Sequence, residues 1–459
     1  MSWSQVSDRR WERPTNGIEG YFTVAGAFSA SLMEGRHHYT IFSRVSVDLP
    51  FSSRAEATEA LRLAWQQLRY EQPMIATTIE GLTKVYEIPD EAALTRWLET
   101  TCIVSPAADA EALTRIMTPV QQATLYYLPE ASELVFRSHH ALIDGVGTLM
   151  LWHRFLSILA DPPAGGPPAF GDEPARLAPS LETILQHPVP PKPELAAQGA
   201  KLVQECVQAM PGVGPVNRVG TVAAGPIQNR EWVFPERTSA ALVQACKAQG
   251  FSVSAAVQAA YIRTIVAHAD PAARAASTHP NRYVTVNSVN LRPKLPAPYN
   301  TSQYAASLYY TPWGYVIEDI PDSFIETARI VDHHYKTLFD PAVNPDHLEI
   351  SGSLTQALRD IVQTPEFLTQ PVSRDALFSS LGIMERYVQR SYGTEGRKIV
   401  VQDVKMGVDV ILGISMLFLY TFRDTLRLCY SFNEAYEDPE IIQSHLEEVQ
   451  KVLVEELLG

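Results

Sequence analysis

His139-His140-Ala141-Leu142-Ile143-Asp144-Gly145 is the stretch whose reading decides this chain. Upstream, Glu133-Leu134-Val135-Phe136-Arg137-Ser138 reads as a strand. Downstream, Val146, Leu149, Met150, His153, Leu156 and Leu159 recur at helical spacing. The two histidines therefore fall at a strand-to-helix junction, where a side chain can point into a cleft. An Asp one turn further on can hold the local structure in place. Imidazole titrates near neutral pH, so it suits proton removal from a hydroxyl or amine. Two plainer readings compete. A histidine in a polar junction is commonly a hydrogen-bonded loop residue. His140 and Asp144 could also ligate a metal, but no third ligand stands at a recognisable spacing, and zinc sites use three or four. No metal is expected.

The 459 residues are 46% hydrophobic and 19% charged, an ordinary globular balance with length enough for two or three domain-sized lobes. A net charge of −14 argues against nucleic acid or an anionic membrane as partner, though a small anionic substrate needs only a local basic patch. Cys102, Cys206, Cys246 and Cys429 stand far apart with no CxxC pair, as expected of buried small hydrophobes in a reducing compartment. Met1-Ser2-Trp3-Ser4-Gln5 lacks the layout of a signal peptide, and the most apolar window, Val408 to Tyr420, contains Asp409 and Gly413 and fits a buried strand. A cytosolic protein is expected.

Strand and helix patterns alternate along both halves, which predicts an α/β chain. Tyr39 to Leu49 reads as a strand, followed by a helix that Ser53 can cap. A short strand near Met74 to Ile79, a polar helix around Glu91 to Glu99 and a strand at Gln122 to Leu128 come next. Between Asp161 and Glu194 the prolines cannot sustain a helix or central strand, which predicts a crossover linker over 162–229 between lobes 1–161 and 230–459. In the second lobe, helices are expected at Thr238 to Lys247, Ser254 to Ala267, Ile325 to Leu338 and Leu354 to Val362, with a last one opening at Asp438-Pro439. Strands are expected near Arg230 to Phe234, Tyr283 to Asn290, Leu377 to Leu381, Ile399 to Val404, Val408 to Tyr420 and Leu426 to Phe432.

The full string HHALIDG resembles the HHxxxDG signature of the chloramphenicol acetyltransferase-like superfamily. That superfamily includes plant-type acyltransferases, peptide-synthetase condensation domains and fungal alcohol O-acetyltransferases. Weaker resemblances extend over nearly the whole chain. Trp11-Glu12-Arg13-Pro14 with Glu19-Gly20-Tyr21-Phe22 looks like the opening of the trichothecene 15-O-acetyltransferase type. Arg69-Tyr70-Glu71-Gln72-Pro73 is similar to the RHExL element of condensation domains, with Tyr for its His and Pro for its Leu. Phe251-Ser252-Val253-Ser254 resembles a helix cap of the superfamily, and Asn287-Ser288-Val289-Asn290-Leu291-Arg292-Pro293 its NxR strand end. The plant-type DFGWG is not kept. Asp403-Val404-Lys405-Met406-Gly407 preserves only its ends, and these two residues read on their own as a strand-entry turn. The resemblance is therefore to the fungal and condensation-like branches.

That resemblance implies two chloramphenicol acetyltransferase-like α/β lobes around a central solvent tunnel, with the histidine midway. It implies acyl transfer from a thioester to a hydroxyl, with His140, second of the pair, as general base. His139 takes a packing or hydrogen-bonding role. Asp144 is implied to be structural, paired with an arginine for which Arg292 is the first candidate and Arg69 the alternative; the plainer reading of each arginine is an exposed surface residue. Gly145 and Gly147 would let the loop turn where a side chain would crowd it. Ser380, in Ser379-Ser380-Leu381-Gly382, is a candidate oxyanion donor, against the plainer reading of a hydroxyl satisfied locally.

No GxSxG elbow occurs, so direct attack in a ternary complex is expected rather than an acyl-enzyme. No bound cofactor is expected; acyl-CoA, most simply acetyl-CoA, would be a co-substrate, and Arg397-Lys398 would meet its phosphate or face water. His37-His38 and His333-His334 lack the Asp-Gly continuation and read as a strand start and a solvated helix face. The expected partners are a hydroxylated secondary metabolite and an acyl donor, with the protein a monomer. Three other functions stay open: a condensation-like enzyme fed by an acyl carrier protein, a repurposed fold using His140 for elimination, isomerisation or cyclisation without a donor, and a binding protein without turnover.

Overall fold

The computed structural model describes residues 2–116, 118–188, 190–368 and 374–459; Met1 and Val189, which fall in stretches read above, lie outside them. The strand Glu133–Ser138 forms at the expected bounds and lies inside a six-stranded sheet. Its neighbours are Ile41–Asp48 and Thr124–Leu128, both antiparallel to it. Beyond Ile41–Asp48 come Ile399–Val408 and Ser391–Tyr392; beyond Thr124–Leu128 comes Cys102–Val104, which pairs in parallel. Every residue of Glu133–Ser138 is buried because both faces of the sheet are covered. On one side Phe136 meets Trp65 and Trp152, from the helices Arg54–Glu71 and Gly145–Ala160. On the other, Val135 joins Ala107, Ala110 and Leu113. Ser53 caps its helix as expected, accepting from the Glu56 N–H at 3.2 Å.

Two compact units compose the chain. The first takes Met1–His187, Asn290–Tyr310 and Met384–Asp409; the second takes Pro188–Val289, Thr311–Ile383 and Val410–Gly459. This differs from the linear division at residues 161 and 230. The chain returns to the first unit twice, and one return supplies the strand Ile399–Val408 to its sheet. The proline-rich stretch also differs from expectation, since Pro193–Ala209 is a 17-residue helix. Proline is barred from a helix interior but suits its first turn, where no N–H is needed, and Pro193 stands there. That helix packs on His347–Ile361, and Gly199 allows the approach: a Cβ there would fall 2.7 Å from the Leu354 nitrogen.

The second unit has a four-stranded sheet ordered Leu377–Ile383, Met416–Phe422, Thr425–Asn433, Ile227–Val233, with only the first pair parallel. The helix Val253–Ala267 is its core. Ala255 through Ile262 are all buried, so no polar face develops, and Glu236–Gln249, Phe324–Thr337 and Pro439–Leu458 pack around it. Ser252 caps it, and Gly250 closes the preceding helix at φ 83° in the left-handed region. The expected strand from Val408 to Tyr420 is two strands parted by a turn, with Gly413 and Ile414 at positive φ. Asp403 and Gly407 are interior to a ten-residue strand rather than at its opening turn, and Asp403 forms an ion pair with Arg44. Among the described residues no helix is long and apolar enough to cross a membrane.

Candidate active site

The end of the strand Glu133–Ser138 delivers the paired histidines into a tight turn. The Leu142 N–H donates to the His139 carbonyl at 3.0 Å, and the Ala141 N–H donates to His139 Nδ1 at 3.1 Å. His139 is thus buried and its Nδ1 is engaged by the backbone. Burial, with His37, His140 and Lys84 nearby, pushes its imidazole down to about 3.

His140 is half-buried and has a different environment. Its ring lies on that of Phe22, centroids 4.0 Å apart and planes 4° from parallel, with Tyr310 tilted at 5.9 Å. Its Nδ1 is buried and has no hydrogen-bond partner among the described residues. Burial lowers the imidazole to about 4, against the opposing pull of its own backbone and of Asp144. The near-neutral titration expected of it is therefore displaced, because removal from water disfavours the charged ring.

Asp144 is saturated. It caps the helix Gly145–Ala160, with Oδ1 accepting the Gly147 N–H at 2.7 Å. Arg292 Nη1 reaches Oδ1 at 2.8 Å and Oδ2 at 2.7 Å, and the Tyr309 N–H donates to Oδ2 at 2.8 Å. Arg292 Nη2 adds a bond to Ser307 Oγ at 3.0 Å. Of the two arginines proposed from the sequence, Arg292 holds the carboxylate. Arg69 is buried elsewhere, over the Trp97 ring at 4.7 Å and donating to the Glu87 carbonyl at 3.3 Å. Neither is the exposed surface residue that was the alternative.

The glycines divide. Gly145 opens the helix without a positive φ, so left-handed freedom is not its use. Gly147 is the tight position, since a Cβ there would fall 2.3 Å from the Ala305 carbonyl and 3.0 Å from Arg292 Nη2. Ser380 belongs to the second unit, on an exposed position of Leu377–Ile383, with its Oγ 2.8 Å from that of Ser254. The partner is a side chain 126 residues away in sequence, so this hydroxyl is not satisfied by its local backbone. Arg397 and Lys398 are exposed. No group of three or more metal-ligating side chains that could hold an ion occurs among the described residues.

Sequence reasoning missed His37 and His38 as members of the site. Ile41 pairs with Ser138 in the antiparallel register, so residues just before Ile41 lie beside residues just after Ser138. His37 meets His139 edge-on at 4.5 Å, and burial with His140 nearby pushes His38 down to about 3. Pairing the two strands on paper would have brought the four histidines together. The helix Gly17–Leu32 was missed as well, although its residues 19–22 belong to the quoted N-terminal motif. Its Glu19 is buried and bound by both Arg13 nitrogens, at 2.8 and 2.9 Å, and by Lys84 Nζ at 2.6 Å. Burial alone would raise Glu19, but these two cations hold it down at about 2.

No family model matches the chain. It has the fold shared by chloramphenicol acetyltransferase-like acyltransferases and condensation domains. The trichothecene 15-O-acetyltransferase TRI3 from Fusarium sporotrichioides superposes over 98% of this chain and 96% of its own, with a TM-score of 0.82 at 18% identity. The first condensation domain of the CDA synthetase covers 97% of each chain, with a TM-score of 0.63 at 15% identity. In sequence, O-acetyltransferase pigM of Monascus ruber is 29% identical over all of this chain and 87% of its own length. Acetyltransferase pigO of the same organism is 26% identical over all of this chain and 98% of its own.

Proposed function

We propose that this protein is an O-acetyltransferase that moves an acetyl group from acetyl-CoA to a hydroxyl of a secondary metabolite, with His140 as general base. The observation that carries the reading is the state of His140. It is a neutral, half-buried imidazole whose neighbouring carboxylate, Asp144, is fully occupied by Arg292 and backbone amides. Names of relatives point the same way: acetyltransferases at 29% and 26% identity, and a 15-O-acetyltransferase of the same fold. In this reading the proton sits on Nδ1 and Nε2 keeps the basic lone pair that meets the acceptor.

In this mechanism the acceptor O–H gives its proton to Nε2 as its oxygen bonds to the thioester carbonyl carbon. The tetrahedral oxyanion then collapses, the C–S bond breaks, and the imidazolium returns the proton to the leaving thiolate. Asp144 holds the turn and does not meet substrate. A positioned base of this kind contributes about 10²–10⁴-fold. The reading includes a cytosolic monomer whose partners are a small hydroxylated acceptor and the acyl donor. Product formation with acetyl-CoA, with an acetyl-loaded carrier protein and with no donor tests it. Turnover with the carrier alone transfers the donor role to that protein, and turnover without any donor defeats acyl transfer.

A further inference from the structure

One face of the helix Gly17–Leu32 carries Glu19, Phe22, Gly26 and Ser29, spaced by three, four and three residues so that they form a single stripe. Each member meets a different fixed group. Glu19 is clamped by Arg13 and Lys84, as described above. Ser29 Oγ accepts the His38 N–H at 2.8 Å. Gly26 makes room for His139, since a Cβ there would fall 2.8 Å from Nε2. Phe22, only 3% exposed, lies flat on His140. The helix is therefore tied down on either side of the residue that touches the base.

We propose that Phe22 is a positioning residue for the reaction at His140: its ring fixes the plane of the imidazole and keeps water from one face. This rests on the reading of His140 as base. A phenyl face attracts a cation and so would favour imidazolium, whereas exclusion of water disfavours it. We take the second effect as the larger, because burial is the main cause that lowers the imidazole to about 4. The other groups facing His140 do not reverse this. Asp144 favours the proton but is neutralised by Arg292; His38 and His139 are themselves uncharged at neutral pH; and burial holds the Tyr310 hydroxyl far above its ordinary range.

The test compares pH–rate profiles, kcat and melting for Phe22→Ala and Phe22→Leu. Alanine opens a space that admits water, so the acid limb should climb by at least ~1 pH unit towards the ordinary imidazole value. Its kcat should fall about tenfold or more as the ring loses its plane. Leucine keeps the space apolar, so its limb should stay low and its kcat should fall less. A merely structural role would lower melting and the folded fraction in both while leaving the limb and the kcat per folded molecule at the parent's values, and that result overturns the proposal. Should Phe22→Ala not fold, two measurements still decide. An unchanged kcat per folded molecule in Phe22→Leu defeats it, as does a parent His140 that titrates by NMR near the ordinary value. His140→Ala is run alongside: full activity there sinks the base itself, a distinct failure.

Discussion

Arg292 meets Asp144 through a single nitrogen, Nη1, which reaches both carboxylate oxygens at 2.8 and 2.7 Å in a setting where the two side chains are 2% and 5% exposed. The residues are 148 apart in sequence, so the pair fastens the segment Asn290–Tyr310 to the start of the helix Gly145–Ala160 within one unit. Removing one partner of a buried pair leaves the other charge uncompensated and typically costs about 3–5 kcal/mol. Asp144→Ala and Arg292→Ala should each lower the melting temperature, and the double variant should lose less than the sum of the two. Calorimetry on the three proteins checks this. Parent-like melting of Asp144→Ala with activity gone would mean that the carboxylate acts in the chemistry.

His140→Ala should fold, since the residue is half-buried and its Nδ1 has no hydrogen-bond partner among the described residues. Acetyl transfer should fall by roughly 10²–10⁴-fold. Only neutral imidazole accepts a proton, and in the parent it is neutral down to about pH 4. The parent rate should therefore be flat through neutrality and decline only as pH approaches that value. A rate that rises steeply between pH 6 and 7 would contradict the burial of His140.

Much of this was legible in the sequence, and the failures have physical causes. Strands such as Glu133–Ser138 and Tyr283–Asn290 form at their expected bounds because strand patterns depend on local composition. Arg292 was read from a motif, and motif spacing survives where distant residues meet. The helix Gly17–Leu32 was missed: its buried face holds Gly17, Gly20, Gly26, Thr23 and Ser29, so polar and small residues fill places where an apolar stripe is sought. Asp403 read as a strand-entry turn, yet it stands partly buried inside a strand, where an ion pair with Arg44 on the neighbouring strand helps to offset the cost of the carboxylate.

Gly147 is the glycine to which the turn is most sensitive. A methyl group there would run into the Ala305 carbonyl at 2.3 Å, and that atom is backbone, so a rotamer change cannot relieve the clash. It would also press on Arg292 Nη2, at 3.0 Å, the other nitrogen of the guanidinium that holds Asp144. Gly147→Ala should cost about 1–3 kcal/mol by overpacking and lower activity together with stability. Denaturant unfolding measures the first and acetyl transfer the second. An alanine variant as stable as the parent would show that the Ala305 segment moves freely.

The pH dependence of stability should carry two opposed contributions. His38, His139 and His140 lie at about 3, 3 and 4 in the folded chain, below their ordinary 6.5. As pH falls below 6.5 the unfolded state takes up these protons first, so their contribution is complete above 6.5 and is lost progressively towards pH 3. Glu437 acts the other way. Burial raises its carboxyl to about 7, against hydrogen bonds from Ser415 and from Tyr430, the latter at 3.0 Å. Between its ordinary 4.5 and about 7 the folded state holds a proton that the unfolded state has released, so stability falls as pH rises through that window and is level above it. Glu437→Gln keeps an uncharged polar group in place and removes this loss. Relative to the parent, the variant should gain stability steadily from pH 4.5 to 7, on the order of 3 kcal/mol at most, and hold that gain at higher pH. Denaturant unfolding of both proteins across the range gives the difference directly. A difference that does not vary with pH would show that Glu437 titrates normally in the folded chain.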